Sequence, residues 1–453
     1  MTPETPDAAR PRHGRSPAVD LFRLVSIVLV AVGHWLAASI YYEHGQFHTE
    51  DVLGISWVGW VVLGFQVIPV FFLVGGYANA ASWSATARPN WDEWLRHRVV
   101  RLTVPTSVYI LVGCAAAMVA RAAGVDPGTL GLAGWAVALH LWFLPTYLLV
   151  AALTPVFYAA HRRWGLWVPA VMAAAAVLVD LAVLDWHLAI VGWANYLLVW
   201  GVAHQLGIAW QDGTFARLRW LPAALFLIGA SGWAAAVWLG GFPVLLVGTG
   251  TGFTGQRLSN TSPPSVALLG FALAQSALVV AVSGPVDRWL SRRGWQPALA
   301  RSGRGVMLAY LWHMAPVIPA AIALDVTGWM PRLPVASLPW IGLRFAWAAI
   351  VGVLLIVLIA VLGWLRPFAR RLLVVQPHGK TLTQRRWSWP LLGAGALAVG
   401  WALYLFAVNG FAPSGSIPGA ALSAYGVGAV LLAAGTWLAP RPASAWAVLS
   451  RPV

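Results

Sequence analysis

Charge is scarce in this chain. Only 9% of its 453 residues are Asp, Glu, Lys or Arg, against about 25% in an ordinary soluble domain. That shortfall excludes a hidden soluble domain of any size. Lysine occurs once, at Lys380, and cysteine once, at Cys114. A lone cysteine forms no internal disulfide, and it does not reveal the compartment. The sequence holds no Gly-x-Ser-x-Gly elbow, no Cys/His zinc set and no P-loop. In their place are 60% hydrophobic residues, 29 of them tryptophan, and a mean hydropathy of +0.73. Such a chain reads as an all-α polytopic membrane protein with the lipid bilayer as its surroundings. The net charge of +15 is spread over loops and does not point to nucleic acid.

Apolar stretches of about 20 residues recur, each long enough to span a bilayer. They predict helices near 19–40, 55–83, 100–120, 132–159, 164–183, 188–210, 218–239, 264–284, 305–325, 340–365, 389–408 and 418–438. Twelve spans put both termini on one side. On that count only Arg121, Arg257, Arg332 and Arg344 face the opposite side, leaving 29 − 4 = 25 basic residues with the termini. A bias this large places the termini in the cytoplasm. Arg10, Arg12 and Arg15 precede the first apolar run as in a secretory signal, but the run is a full span with polar residues in it, so an uncleaved helix is the expectation. The organisation expected is a basic tail (1–17), a ten-helix core (18–370), a basic linker (371–387), an added transmembrane hairpin (388–440) and a second tail (441–453). No internal repeat is visible.

The first span carries Arg23 and His34, with ten residues between them. Ionisable groups at membrane depth are costly and mark function by default. Eleven steps of about 100° bring the two side chains to within roughly 20° on one helix face, about 16 Å apart along the axis. A neutral imidazole is a competent base near neutral pH, although a lone histidine can also serve as interhelical glue.

Four more groups stand out. The inner loop 88–105 holds Arg98 and Arg101, neighbours on any helix, and paired guanidiniums suit a phosphate-rich ligand. Gly75-Gly76-Tyr77 in the second span permits a helix break or a close approach. His140-Leu-Trp142 lies at the outer end of the fourth span, where a tryptophan also fits an interfacial belt. Tyr310-Leu-Trp-His313 puts another histidine at depth in the ninth. His204 reads as structural or interfacial. Gly250-Thr-Gly252-Phe-Thr-Gly255 matches a dinucleotide pattern but lacks the following helix and acid, and His44 and His48 lack a further ligand set. No metal site is expected.

In order, these pieces resemble the acyltransferase-3 family of bacterial integral-membrane acyltransferases. Arg23-x10-His34 resembles its helix-1 signature. Pro69-Val-Phe-Phe-Leu-Val-Gly-Gly-Tyr77 is similar to a segment usually written with Ser-Gly-Tyr, with Gly75 in the serine's place. Arg98-Val-Val-Arg101, Leu141-Trp142-Phe-Leu and Tyr310-Leu-Trp-His313-x-x-Pro316 resemble three further motifs, and Ser259-Asn260 with Gln275 a segment of some members. The similarity covers roughly 18–370.

The resemblance implies transfer of an acyl group, acetyl foremost, from cytoplasmic acyl-CoA to a hydroxyl of an extracytoplasmic glycan or lipid acceptor, in the cytoplasmic membrane. It implies His34 and Arg23 as catalytic, with His34 a general base or a covalent acyl carrier. Arg98 and Arg101 would hold the CoA phosphates. Gly76, Tyr77, His140, Trp142, Asn260, Tyr310 and His313 would bind substrate, with Tyr77, Trp142 and the loop 240–264 on the acceptor side. The rival reading is a secondary transporter or flippase with a His/Arg proton relay, which the missing repeat disfavours.

Overall fold

The computed structural model describes the whole chain except residues 1–15, 45, 86–90, 249–258, 304, 330, 374–381 and 440–453, and no side chains at 92, 366–373 and 382–385. The tail arginines, Arg88, Arg257, Lys380 and the glycine-rich Gly250–Gly255 therefore lie outside the described residues.

Helices dominate. In chain order they are α1 (Pro17–Ala37), α2 (Val58–Phe65), α3 (Ile68–Ser84), α4 (Trp91–Ala122), α5 (Pro127–Ala138), α6 (Phe143–Ala152), α7 (Thr154–Trp164), α8 (Trp167–Leu184), α9 (Asn195–Gln211), the single turn α10 (Thr214–Arg217), α11 (Leu221–Trp238), α12 (Val266–Arg292), α13 (Gln296–Ser302), α14 (Val306–Trp312), α15 (Val317–Val326), α16 (Leu338–Leu373), α17 (Leu382–Asn409) and α18 (Gly419–Leu438). Among the described residues ten stretches are long and apolar enough to span a membrane, and α14 with α15 form an eleventh bent by 51°. The chain is a multi-pass membrane protein. Each of the twelve expected segments holds helix, but not every one is a full straight span. The ninth is the bent α14–α15 pair. The sixth, α9, has only 17 residues and sits with most of its length buried.

Several expectations change. The part of 88–105 that is described is not a loop: α4 is helical from Trp91 and runs through Pro105. The second span does break, but at Gln66–Val67 between α2 and α3, and not at Gly75–Gly76. Those glycines serve the close approach instead. A Cβ on Gly76 would strike the carbonyl of His204, and one on Gly207 the carbonyl of Leu73. So α3 and α9 cross with their backbones in contact, as small residues allow in a medium with no hydrophobic drive between helices. Gly229 and Gly270 do the same for α11 and α12.

The segment after α1 forms a two-stranded hairpin, β1 (Ile40–Glu43) and β2 (Gln46–Thr49). It docks on α15, where Tyr42 N donates to Asp325. His48 stacks on Tyr41 at 5.3 Å, and Arg332 pairs with Glu43. That hydrogen bond holds the Glu43 carboxyl below the usual carboxylate range.

The last two helices pack on the core. Phe411, just beyond α17, is fully buried, and its ring fills the space beside Gly113 of α4. Tyr425 Oη meets Ser107 Oγ at 2.9 Å.

Candidate active site

α1 starts where Ser16 caps it and Asp287 of α12 takes the amide of Ala18 at 2.7 Å. A carboxylate suits this positive end of a helix. The other end of α1 carries His34 in its last turn. There the final carbonyls of the helix have no partner in the helix itself. Arg344 of α16 supplies one. Its guanidinium, 4% exposed, donates to Trp35 O at 2.7 Å, Leu36 O at 3.1 Å and Ala38 O at 2.7 Å. Trp347 Nε1 also donates to Trp35 O, at 3.1 Å. The sequence counted Arg344 with the outer side, just inside the tenth span. It is in fact a buried clamp on the turn that bears His34.

His34 Nδ1 lies 2.8 Å from His313 Nε2. His313 is fully buried at the α14–α15 bend. Its Nδ1 lies 2.7 Å from Tyr310 O, and a carbonyl only accepts, so Nδ1 carries the hydrogen. In neutral His313, Nε2 is then the acceptor, and His34 Nδ1–H is the donor. That leaves His34 Nε2 with a free lone pair. A second-shell hydrogen bond of this kind decides which ring nitrogen is the base. Trp35 Nε1 donates to His313 O at 2.8 Å, tying the two segments together.

His140 completes the cluster. It is buried in the tight turn between α5 and α6, within the bundle and not at a span's outer end. Its Nε2 donates to Leu311 O at 3.1 Å, and its ring centre is 4.8 Å from that of His313. Tyr310 Oη donates to His140 O at 2.5 Å. That hydroxyl thus joins two bends and is not free for chemistry.

Arg23, Arg98 and Arg101 lie near the other end of the bundle, close enough for their charges to act on one another. Arg98 stacks its guanidinium on Trp94 at 4.2 Å and also interacts electrostatically with Tyr147 and His204. Arg101 is exposed. A ladder of rings connects the two centres: Tyr147 to Phe143 (5.6 Å), Phe143 to Tyr310 (5.4 Å) and Tyr310 to His140 (5.3 Å). Gly75 makes room for it, since a Cβ there would be 3.2 Å from Tyr147 Cε2.

Other expected binding residues make structural contacts. Tyr77 packs on Trp210 at 4.9 Å and interacts electrostatically with Asp287, at the arginine end and not the histidine end. Gly76 is spent on the crossing with α9. Trp142 packs against Phe143 and Trp200. Asn260 donates to Pro243 O and Leu245 O and accepts from Ser265 Oγ, so both amide hydrogens are used in holding its own loop. His204, fully buried, meets Asn79 Nδ2 at 3.2 Å. No group of metal-binding side chains is found among the described residues.

Arg344 could have been suspected from the sequence only as a charge just inside an apolar run. Asp287 gave a similar signal. Nothing local pairs either with α1.

No curated protein and no solved structure matches the chain. The sequence profile described as an acyltransferase domain matches residues 16–365, which include the arginine and the histidine clusters and leave out α17 and α18. With that match running from the cap of α1 into α16, the chain belongs to the acyltransferase-3 family of membrane acyltransferases.

Proposed function

We propose that the chain moves an acyl group, acetyl foremost, from acyl-CoA on the arginine side to a hydroxyl of a glycan or lipid acceptor met at the histidine side. The observation that supports this reading best is the His34–His313–Tyr310 chain, which leaves His34 Nε2 as a base held in one orientation. His34 Nε2 takes the proton of the acceptor hydroxyl as its oxygen attacks the thioester carbonyl. The tetrahedral adduct collapses, the C–S bond breaks, and the CoA thiolate leaves with the proton that His34 gives back. An ester forms and the histidine is regenerated. General base assistance of this kind supplies about 10²–10⁴-fold.

His313 is a positioning residue in this scheme, since it acts through His34. Arg98 and Arg101 are assigned to the donor's phosphates, for which paired guanidiniums are suited. Arg23 is assigned to the path between them and His34. The acceptor stays on the far side of the cytoplasmic membrane, with the termini inside.

The test uses membranes holding the full chain and radiolabelled acetyl-CoA. His34→Ala abolishes transfer, and His313→Ala lowers kcat by about 10²-fold or more; both keep CoA affinity. Arg98→Ala/Arg101→Ala weakens CoA binding with the protein still folded. Transfer at an unchanged rate by His34→Ala would sink the catalytic assignment, and unchanged CoA affinity in the arginine variant would remove the phosphate role.

A further inference from the structure

The break between α2 and α3 interrupts a span, and irregular backbone at membrane depth persists where it is satisfied by protein or lines a cavity. Gln66 sits at that break, 3% exposed. Its Nε2 donates to Leu246 O, and its Oε1 accepts from Ile68 N. Its carbonyl takes a hydrogen bond from Gln275 Nε2 of α12 at 2.8 Å. Because a carbonyl only accepts, this contact fixes the amide of Gln275: nitrogen toward Gln66, oxygen away. That oxygen is buried and has no hydrogen-bond partner among the described residues.

Three observations put this oxygen within about one helical turn of the level of His34. First, Val30 of α1 and Val279 of α12 pack against one cluster with Val67, the residue after Gln66. Second, α1 and α12 run antiparallel, as the bond from Ala18 N to Asp287 shows at the other end. Counted from that bond, twelve residues lead from Ala18 to Val30 and twelve from Asp287 back to Gln275, so Gln275 lies opposite Val30, about one turn (about 5.4 Å) short of His34. Third, Gly33 lies against Phe65, with its Cβ position 3.2 Å from the Phe65 Cβ. The break therefore faces the turn of α1 that carries His34.

Resting on the acyl-transfer reading, we propose that Gln275 Oε1 is the acceptor subsite. It receives the O–H of a second hydroxyl on a polyhydroxylated acceptor, such as a sugar ring, whose neighbouring hydroxyl is presented to His34 Nε2. An oxygen with no donor of its own selects a ligand that brings one, and it discriminates against acceptors with a single hydroxyl. A pantetheine amide N–H offers the same chemistry from the donor molecule, so the test separates the two.

Membranes with the full chain are given radiolabelled acetyl-CoA. Label in envelope glycans and lipids, transfer to a single-hydroxyl acceptor, competition by CoA and the melting temperature are read. Gln275→Met, which also takes the donor from the Gln66 carbonyl and so lowers the melting temperature, is expected to cut envelope labelling about tenfold or more, with CoA affinity and transfer to a single-hydroxyl acceptor unchanged. Gln275→Glu, which in its uncharged form keeps one donor and one acceptor, is expected to stay within about threefold of the parent. Full transfer by the Met variant overturns the proposal. So does an equal loss of transfer to a single-hydroxyl acceptor, which would make the effect structural, or a loss of CoA affinity, which would give the oxygen to the pantetheine arm. A second arm needs no acyl transfer: Gln275→Cys in a Cys114→Ala background is treated with a small methanethiosulfonate. Labelling is expected, and its absence overturns the subsite. Labelling in a protein whose parent transfers nothing would keep the subsite and remove the acyl-transfer reading.

Discussion

Replacing Arg344 by methionine tests whether the far end of α1 is held in place for His34. The guanidinium serves three carbonyls. In the variant, Trp35 O keeps Trp347 Nε1 at 3.1 Å, whereas Leu36 O and Ala38 O lose the donor described for them. A buried carbonyl left without a partner costs about 1–3 kcal/mol, so these two part-buried ones cost at most about 2–6 kcal/mol. Removing a buried cation returns part of this, because its desolvation had cost several kcal/mol. The net expected destabilisation is about 1–4 kcal/mol, local to the last turn of α1. His34 lies in that turn, and a displacement of about 1 Å at a catalytic group costs about 10²-fold. The predicted phenotype is a kcat down by about 10–100-fold with CoA affinity intact, alongside a modest fall in melting temperature. Arg344→Lys, with one compact head in place of the fork, falls between. The assay is acyl transfer from radiolabelled acetyl-CoA in membranes, with thermal unfolding in detergent. A methionine variant that melts and turns over like the parent would show that α1 needs no clamp, and the reasoning would fail.

Two further outcomes follow from the packing and the electrostatics. Gly76→Ala places a methyl 2.8 Å from the His204 carbonyl carbon, against rigid backbone, and should cost about 1–3 kcal/mol. Gly75→Ala meets only the movable Tyr147 ring at 3.2 Å and should be nearly neutral; equal melting temperatures for the two variants would refute the crossing as described. At the end of α9, burial pulls Asp212 toward its acid form, but hydrogen bonds from His161 (3.1 Å) and Thr214 (2.5 and 2.8 Å) outweigh it and hold the carboxyl below its ordinary 3.8. A depressed carboxyl stabilises fully above its unfolded value and loses that contribution as acid protonates it. The melting-temperature gap between the parent and Asp212→Asn should thus not shrink from pH 7 to 5 and should close only below about 3.8. A gap that closes between pH 7 and 5 would contradict this.

Much of the fold was legible because a bilayer leaves few options. Spans must be apolar and helical, so hydropathy located the segments where helices lie. It could not see that α9 is short and buried, or that the ninth segment bends between Trp312 and Val317, since composition is blind to a helix axis. Gly75–Gly76 had two physical readings, break or close approach, and the partner that decides between them, His204 on α9, is far away in sequence. The 40–49 stretch showed charge and histidine but not strand, because its pairing depends on Asp325 and Arg332.

The site divides in the same way. By itself the sequence determined that Arg23 and His34 share a helix face, because helical spacing is local. It also flagged His140, His313, Arg98 and Arg101 as polar groups in costly places, because such groups are conspicuous in an apolar chain. Only the tertiary structure decided what those groups do to one another. Three histidines from three breaks or ends of helices meet in one cluster, and a backbone carbonyl at Tyr310 sets which nitrogen of His34 is bare. Arg344 became a clamp, Asn260 a loop tie, and Gln275 an oxygen without a donor. Each of those roles is a hydrogen bond made or missed across helices, and a hydrogen bond has a distance and a direction that no one-dimensional pattern carries.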